Sequence, residues 1–384
     1  MTESDAASSP RVLIVSARVG AGHREAALAV MDALQAADPC LPVRHEDAME
    51  HVSGFFRHYY QGGFVLSVTR LPWMYGVGYR ITDAPDKPRR RLSERLRLAF
   101  ERLWMKALAE RIVQWRPEVV VCTHFVAAPV VAGLLASGRL KARMGVVVTD
   151  HVAHRWWYCE GADRWFVPDE ESVERLQRWA IPAERIALSG IPVRRKWTRP
   201  LDQAKARADW RLAAEGPIVV LSGGTEFVCG PVVALAQGIL AACPQSHVVV
   251  MAGRNKDLLA SLSQSPEAGR RLTPVSFTDR ANELVGTCSL MVTKPGGVTT
   301  AECCAVGTPM VLLRPVPGQE ACNAEYLSSH GAAVTPGGPA EVVEAVRRLL
   351  ADPAELARMA ERARGLHRPG AETVANWILG CLKA

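Results

Sequence analysis

Three groups of residues in this sequence have types and spacings that suit chemistry. The first is the turn Gly20-Ala21-Gly22-His23, set between an apolar run, Arg11 to Ala17, and a helix-forming stretch, Glu25 to Ala37. An imidazole there suits removal of a hydroxyl proton near neutral pH, although a histidine at such a place also serves as a cap or core residue. The second is Thr149-Asp150-His151-Val152-Ala153-His154, with His124 ahead of it. Asp150 can orient a base or an acceptor, or N-cap a following helix. Asp150, His151 and His154 lack a fourth partner at ligand spacing, so no metal is expected. The third group is a pair of Gly-rich turns, Ser222-Gly223-Gly224-Thr225 and Pro295-Gly296-Gly297-Val298-Thr299-Thr300. Without Cβ atoms such turns let backbone N–H groups approach a phosphate, helped by a helix N-terminus. Either turn alone also fits an ordinary strand–helix connection. Glu302, one to two turns into the helix opened by Gly296 and Gly297, can accept both hydroxyls of a ribose, or stand solvated. Lys294 can pair with phosphate or cap a strand end in water. Gln319 and Glu320, side by side on an expected loop with Asn323 beyond, offer several donors and acceptors for sugar hydroxyls.

These residues need elements to hold them. Short β-branched runs predict buried strands at 11–17, Val119–Cys122, Gly145–Val148, Arg164–Pro168 and Ile186–Leu188. The pattern restarts with Pro217–Leu221, Val248–Met251, Val275–Thr278, Leu290–Thr293 and Met310–Leu313. Two successive sets of alternating strands and helices predict an α/β protein of two doubly wound, Rossmann-like domains. The expected divisions are a disordered N-terminus at 1–10, a first domain at 11–198 and a second at 199–365. Residues 366–384 are expected to return to the first domain, with Trp377, Ile378 and Leu382 spaced to pack there.

Charge and composition narrow the function classes. The 384 residues carry a formal net charge of +7, and all of it falls in residues 1–200. Residues 80–106 alone hold nine basic and four acidic residues, among them Arg89, Arg90 and Arg91. Leu92, Leu96, Ala99, Leu103 and Leu108 form an apolar stripe through this region. Phe55, Phe56, Tyr59, Tyr60, Trp73 and Tyr75 precede it. A basic amphipathic helix beside aromatic anchors suits an anionic membrane surface, and a solvated helix packed on its own domain is the alternative. No apolar run reaches about 18 residues, and the N-terminus lacks the pattern of a signal peptide. Ten cysteines without a CxxC pair read as thiols of a reducing compartment. No nucleic-acid signature accompanies the arginines, so no nucleic-acid partner is expected. Neither a G-x-S-x-G elbow nor a P-loop lysine is present.

The order of these motifs resembles a known family. Phe277-Thr278-Asp279, Thr293-Lys294-Pro295-Gly296-Gly297-Val298-Thr299-Thr300-Ala301-Glu302 and Pro317-Gly318-Gln319-Glu320-Ala321-Cys322-Asn323-Ala324 resemble the donor-binding half of GT-B glycosyltransferases. Ser16 to Ala27, Thr149 to Trp157, Phe166-Val167-Pro168 and Gly190 to Arg194 are similar to the N-terminal signatures of one group. That group holds monogalactosyldiacylglycerol synthases and processive diacylglycerol glucosyltransferases, and is related to the enzyme that adds N-acetylglucosamine to lipid I. The likeness covers roughly residues 11–365. Val19 and Ala21 stand where the family usually has Gly, and Arg314 is an extra cation near the expected sugar site. The resemblance implies a GT-B fold, two Rossmann-like domains facing across a cleft. It also implies an inverting enzyme that moves galactose or glucose from a UDP-hexose to diacylglycerol, with no cofactor and no metal. The implied catalytic residues are His23, as the base, and Asp150. The implied UDP-sugar site holds Gly22, Gly223, Gly224, Thr225, Arg254, Phe277, Thr278, Lys294, Gly296, Gly297, Val298, Thr299, Glu302, Gln319, Glu320 and Asn323. Trp73, Tyr75, Arg89, Arg90, Arg91 and His154 would meet the acceptor or the membrane from the cytosolic side. Another lipid or polyprenyl acceptor, a UDP-N-acetylglucosamine 2-epimerase and a non-catalytic UDP-sugar-binding module remain as alternatives.

Overall fold

The computed structural model describes residues 10–18, 20–54, 71–83, 104–224 and 231–383. The expectations placed on 1–9, Val19, 55–70, 84–103 (Arg89, Arg90 and Arg91 included) and Thr225 lie outside the described residues. The chain divides into two compact units, one formed by residues 1–194 with 369–384 and the other by 195–368.

The first unit is built on a six-stranded parallel sheet in the order β2-β1-β3-β4-β5-β6. Its strands are β1 (Val12–Ser16), β2 (Val43–Asp47), β3 (Val119–Cys122), β4 (Arg143–Val147), β5 (Arg164–Val167) and β6 (Ile186–Leu188). β1 and β3 are buried along their whole length, which is why they read as unbroken apolar runs. Helix Gly22–Ala37 turns Ala26, Ala29, Val30, Ala33 and Leu34 inward at helical spacing. On the same face, helix Gly370–Lys383 buries Ala371, Val374, Ala375 and Ile378 in one cluster with β1 and helix Gly22–Ala37. Gly145 makes room for Trp377, because a Cβ there would stand 2.9 Å from that ring. Helix Lys106–Trp115 packs Met105, Leu108 and Ile112 into the opposite layer. Leu108, expected on a membrane-facing stripe, is therefore a core residue.

The second unit repeats the plan with β7 (Ile218–Ser222), β8 (His247–Gly253), β9 (Leu272–Ser276), β10 (Leu290–Thr293), β11 (Met310–Leu312) and β12 (Ala333–Val334). Their order is β12-β11-β10-β7-β8-β9, all parallel. In each sheet the winding reverses once, between β1 and β3 in the first unit and between β7 and β10 in the second. Ligands of doubly wound sheets bind beyond the carboxyl ends of the strands at such a reversal.

Candidate functional site

At the reversal in the first unit, β1 leads into His23 and β3 leads into Thr123 and His124. His23 is the second residue of helix Gly22–Ala37, not a turn residue ahead of it. Its side chain is clamped from two strands. Nδ1 lies 3.1 Å from the Thr123 carbonyl oxygen and 2.8 Å from the Thr149 hydroxyl. The Thr123 hydroxyl donates in turn to the His23 carbonyl at 2.9 Å. Among the described residues Nε2 makes no hydrogen bond. Burial holds the half-buried His23 imidazole down to about 4, against a smaller upward pull from the Thr123 carbonyl. His124, only 1% exposed, packs edge-on to it with ring centroids 4.3 Å apart. The Val126 N–H donates to its Nδ1, and burial pushes its pKa well down, so both rings are neutral near pH 7.

Asp150 is buried in the loop that follows β4, but it is not among the partners of His23. Thr149 holds the place that the sequence reading gave to that carboxylate. His154 is buried as well. Its Nε2 donates to the Tyr79 carbonyl at 2.9 Å, and its Nδ1 accepts from the Trp156 N–H at 3.1 Å. With both nitrogens engaged in burial, His154 ties helix Pro72–Thr82 to the 155–157 turn. On that helix Trp73, Met74, Val77 and Ile81 are exposed, Trp73 by 66% and Ile81 by 62%. At about 100° per residue they share one face. Tyr75 is half-buried on the other, 6.2 Å from the Tyr79 ring.

At the reversal in the second unit, the ends of β7 and β10 lie side by side, with Ser222 paired to Thr293. Gly223 and Gly224 follow β7, and Gly224 has φ +82°, a backbone suited to glycine. Lys294 follows β10, and its Cε stands 3.3 Å from the place a Cβ on Gly224 would occupy. On its other side is Gly296, the N-cap of helix Gly297–Val306, whose own N–H turns back to the Lys294 carbonyl at 2.9 Å. The first bond inside that helix runs from the Thr300 N–H to the Gly296 carbonyl at 3.0 Å. The N–H groups of Gly297, Val298 and Thr299 thus form its open first turn. Glu302 is half-buried further along the same helix.

The sugar-reading residues are arranged differently from the expected loop. Gln319 and Glu320 open helix Gln319–Ser329 behind Gly318, which has φ +108°. The Glu320 carboxylate accepts from the Val316 N–H at 3.1 Å and faces the Lys294 ammonium at 3.4 Å. Asn323 is fully buried and donates from Nδ2 to the Pro295 carbonyl at 3.0 Å. It is a strut beneath the glycine turn. Arg254, after β8, stacks its guanidinium 4.9 Å from the centre of the Phe277 ring, after β9. Phe277 is 51% exposed, and Thr278 beside it accepts from the Arg280 N–H at 3.1 Å. All of these loops leave the same, carboxyl, edge of one parallel sheet.

Among the described residues no group of three His, Cys, Asp or Glu could hold a metal ion, and no helix is long and apolar enough to cross a membrane.

Residues 23–193 match the family described as monogalactosyldiacylglycerol synthase, and residues 218–374 match the glycosyltransferase family 28 C-terminal domain. The processive diacylglycerol beta-glucosyltransferase of Bacillus subtilis is 30% identical over 263 residues, 68% of this chain and 68% of that protein. The protein of the same name from Bacillus cytotoxicus is 28% identical over 380 residues, 94% of this chain and 90% of that protein. Among solved structures, MurG of Acinetobacter baumannii aligns with a TM-score of 0.59 at 17% identity, covering 97% of this chain and 99% of that one. This last likeness bears on the fold alone and is that of a GT-B protein.

Proposed function

This chain belongs to the processive diacylglycerol beta-glucosyltransferase family, and from that premise we propose that it transfers a hexose from a UDP-hexose to diacylglycerol. The observation that carries the reading is the cradle at the second reversal. There one lysine stands between two Cβ-free turns and an open helix N-terminus, the groups a diphosphate needs. In the reaction the acceptor oxygen attacks the anomeric carbon while the bond from that carbon to the β-phosphate oxygen breaks. The electron pair of that bond leaves with UDP, and the hydroxyl proton goes to Nε2 of His23 and from there to water. One displacement on an α-linked nucleotide sugar gives a β-glycoside, in keeping with the names of the relatives. The Gly297–Thr299 N–H groups and Lys294 meet the charge that grows on the leaving phosphate. Phe277 with Arg254 offers a flat face for the base, and Glu302 accepts from the ribose. Gln319 and Glu320 meet the hexose. UDP-glucose is the first donor to test, with UDP-galactose beside it.

The exposed face of helix Pro72–Thr82 suits shallow insertion into a membrane, which brings the protein to its lipid. Thiols at all nine described cysteines agree with an enzyme working peripherally on the cytosolic face.

Incubation with labelled UDP-hexoses and diacylglycerol vesicles, followed by lipid extraction, should yield a β-glycolipid and UDP. His23→Ala should lower turnover by about a hundredfold or more while UDP binding persists. Retained turnover in that variant would remove His23 from the role of base.

A further inference from the structure

Resting on that reading of His23 as the base, we propose that Thr149 is a positioning residue for catalysis, whose hydroxyl holds the His23 ring in the orientation that presents Nε2 for the proton, the Thr123 carbonyl setting the tautomer.

The tautomer follows from the partners of Nδ1. A carbonyl oxygen only accepts, so the Thr123 carbonyl at 3.1 Å requires a proton on Nδ1. The Thr149 oxygen at 2.8 Å shares that proton as a second acceptor. Both acceptors are fully or almost fully buried and come from neighbouring strands, β3 and β4, so neither competes with water. With Nδ1 protonated, the neutral ring carries its lone pair on Nε2. This is the job a carboxylate does in many base–orienter pairs. Here a neutral hydroxyl does it, and the adjacent carboxylate, Asp150, does not. The chemistry of the substitution has a direction. A carboxylate would draw a proton onto the imidazole and raise its pKa. A hydroxyl and a carbonyl orient the ring while leaving it neutral and ready at ordinary pH, consistent with its low pKa of about 4.

The test compares Thr149→Val, which keeps the shape and removes the acceptor, with Thr149→Ser, which restores it. Transfer kinetics, UDP affinity and thermal melting are measured on each. Long-range nitrogen–proton correlation spectra of protein labelled with ring-15N histidine are also recorded, with His23 assigned by its loss in His23→Ala. Thr149→Val should lower kcat by about tenfold or more, with donor KM and UDP affinity unchanged. Its His23 should keep the Nδ1–H form that the Thr123 carbonyl requires, with ring signals shifted or broadened as the ring loses its second anchor. Thr149→Ser should keep kcat within about threefold of the parent and keep the parent's ring signals. Wild-type kcat in Thr149→Val, His23 ring signals in that variant equal to those of the parent, or an equal loss in both variants overturns the proposal. The two readings fail separately. Full turnover in His23→Ala defeats the base assignment, whereas an inactive His23→Ala beside a fully active Thr149→Val defeats only the role of Thr149.

Discussion

Replacing Gly224 by Ala separates what the glycine does for the fold from what it does for the ligand. Its φ of +82° is left-handed, a region that costs an L-residue about 1–2 kcal/mol. The new methyl would also stand 3.3 Å from Cε of Lys294, so the lysine must give way by a few tenths of an ångström. Gly269 supplies the control, because it has φ +75° but nothing within 4 Å of its missing Cβ. Gly269→Ala therefore carries the backbone cost alone, far along the chain from either glycine turn. Both variants should lose roughly 2–8 °C in the melting of the second unit. Only Gly224→Ala should also weaken UDP, because it displaces the ammonium and tilts the turn beside it. Loss of one hydrogen bond or contact to a charged phosphate is about 1.5–3 kcal/mol, or roughly ten- to a hundredfold in Kd. Calorimetric titration of UDP into the three proteins reads this directly. Equal UDP affinity in all three, with the melting losses as expected, would refute the assignment of the cradle to diphosphate.

Two further outcomes follow from other parts of the chain. Asp169 is 1% exposed and caps helix Glu170–Arg178 by accepting from the Ser172 N–H at 2.8 Å, and burial pushes its carboxyl up to about 6. The folded protein thus holds a proton that the unfolded chain releases near pH ~3.9, so stability falls as pH rises between the two values and the full cost applies above about 6. Asp169→Asn keeps the cap and removes the charge. It should add on the order of 1–3 kcal/mol in urea melts at pH 7.5 and almost nothing at pH 4, and an equal gain at both would contradict the cause. Joint replacement of Trp73 and Ile81 by Ser should weaken binding to anionic diacylglycerol vesicles by about tenfold or more, with UDP affinity unchanged. Vesicle binding equal to that of the parent would remove this helix from the membrane contact.

The strands that the sequence made legible are the buried ones. Val119–Cys122 and Leu290–Thr293 fall where their apolar runs predict, because a strand covered on both faces has no reason to alternate. β2 escaped notice for the converse reason. It is an edge strand whose Arg44, His45, Glu46 and Asp47 meet charges and polar groups, so its sequence looks like a loop. The two residues of β12 are too few to leave a pattern. At the candidate site the glycine turns and His23 were legible because their backbone demands and chemistry are local. Three features were not, since each depends on contacts made across the sheet. Thr149 meets His23 only when β4 lies beside β3. Asn323 becomes a strut only when its helix passes under Pro295, and the Glu320 carboxylate meets Lys294 only across 26 positions of sequence. The signal that would have pointed to Thr149 is the parallel alternation itself, which places the ends of successive strands along one edge.

The first unit is discontinuous, and this sets an order for folding during synthesis. Helix Gly370–Lys383 fills one face of the first sheet, yet it is made after the whole of residues 195–368. Nascent domains ordinarily fold in the order in which they emerge. Here the second unit, contiguous in the chain, is complete while Val12, Ile14, Val30 and Leu34 still wait for Val374, Ala375 and Ile378. Until those residues arrive, the half that carries His23 has an open apolar groove. The second unit is thus the earlier-maturing part of this protein, and the half bearing His23 matures only when the chain returns to it.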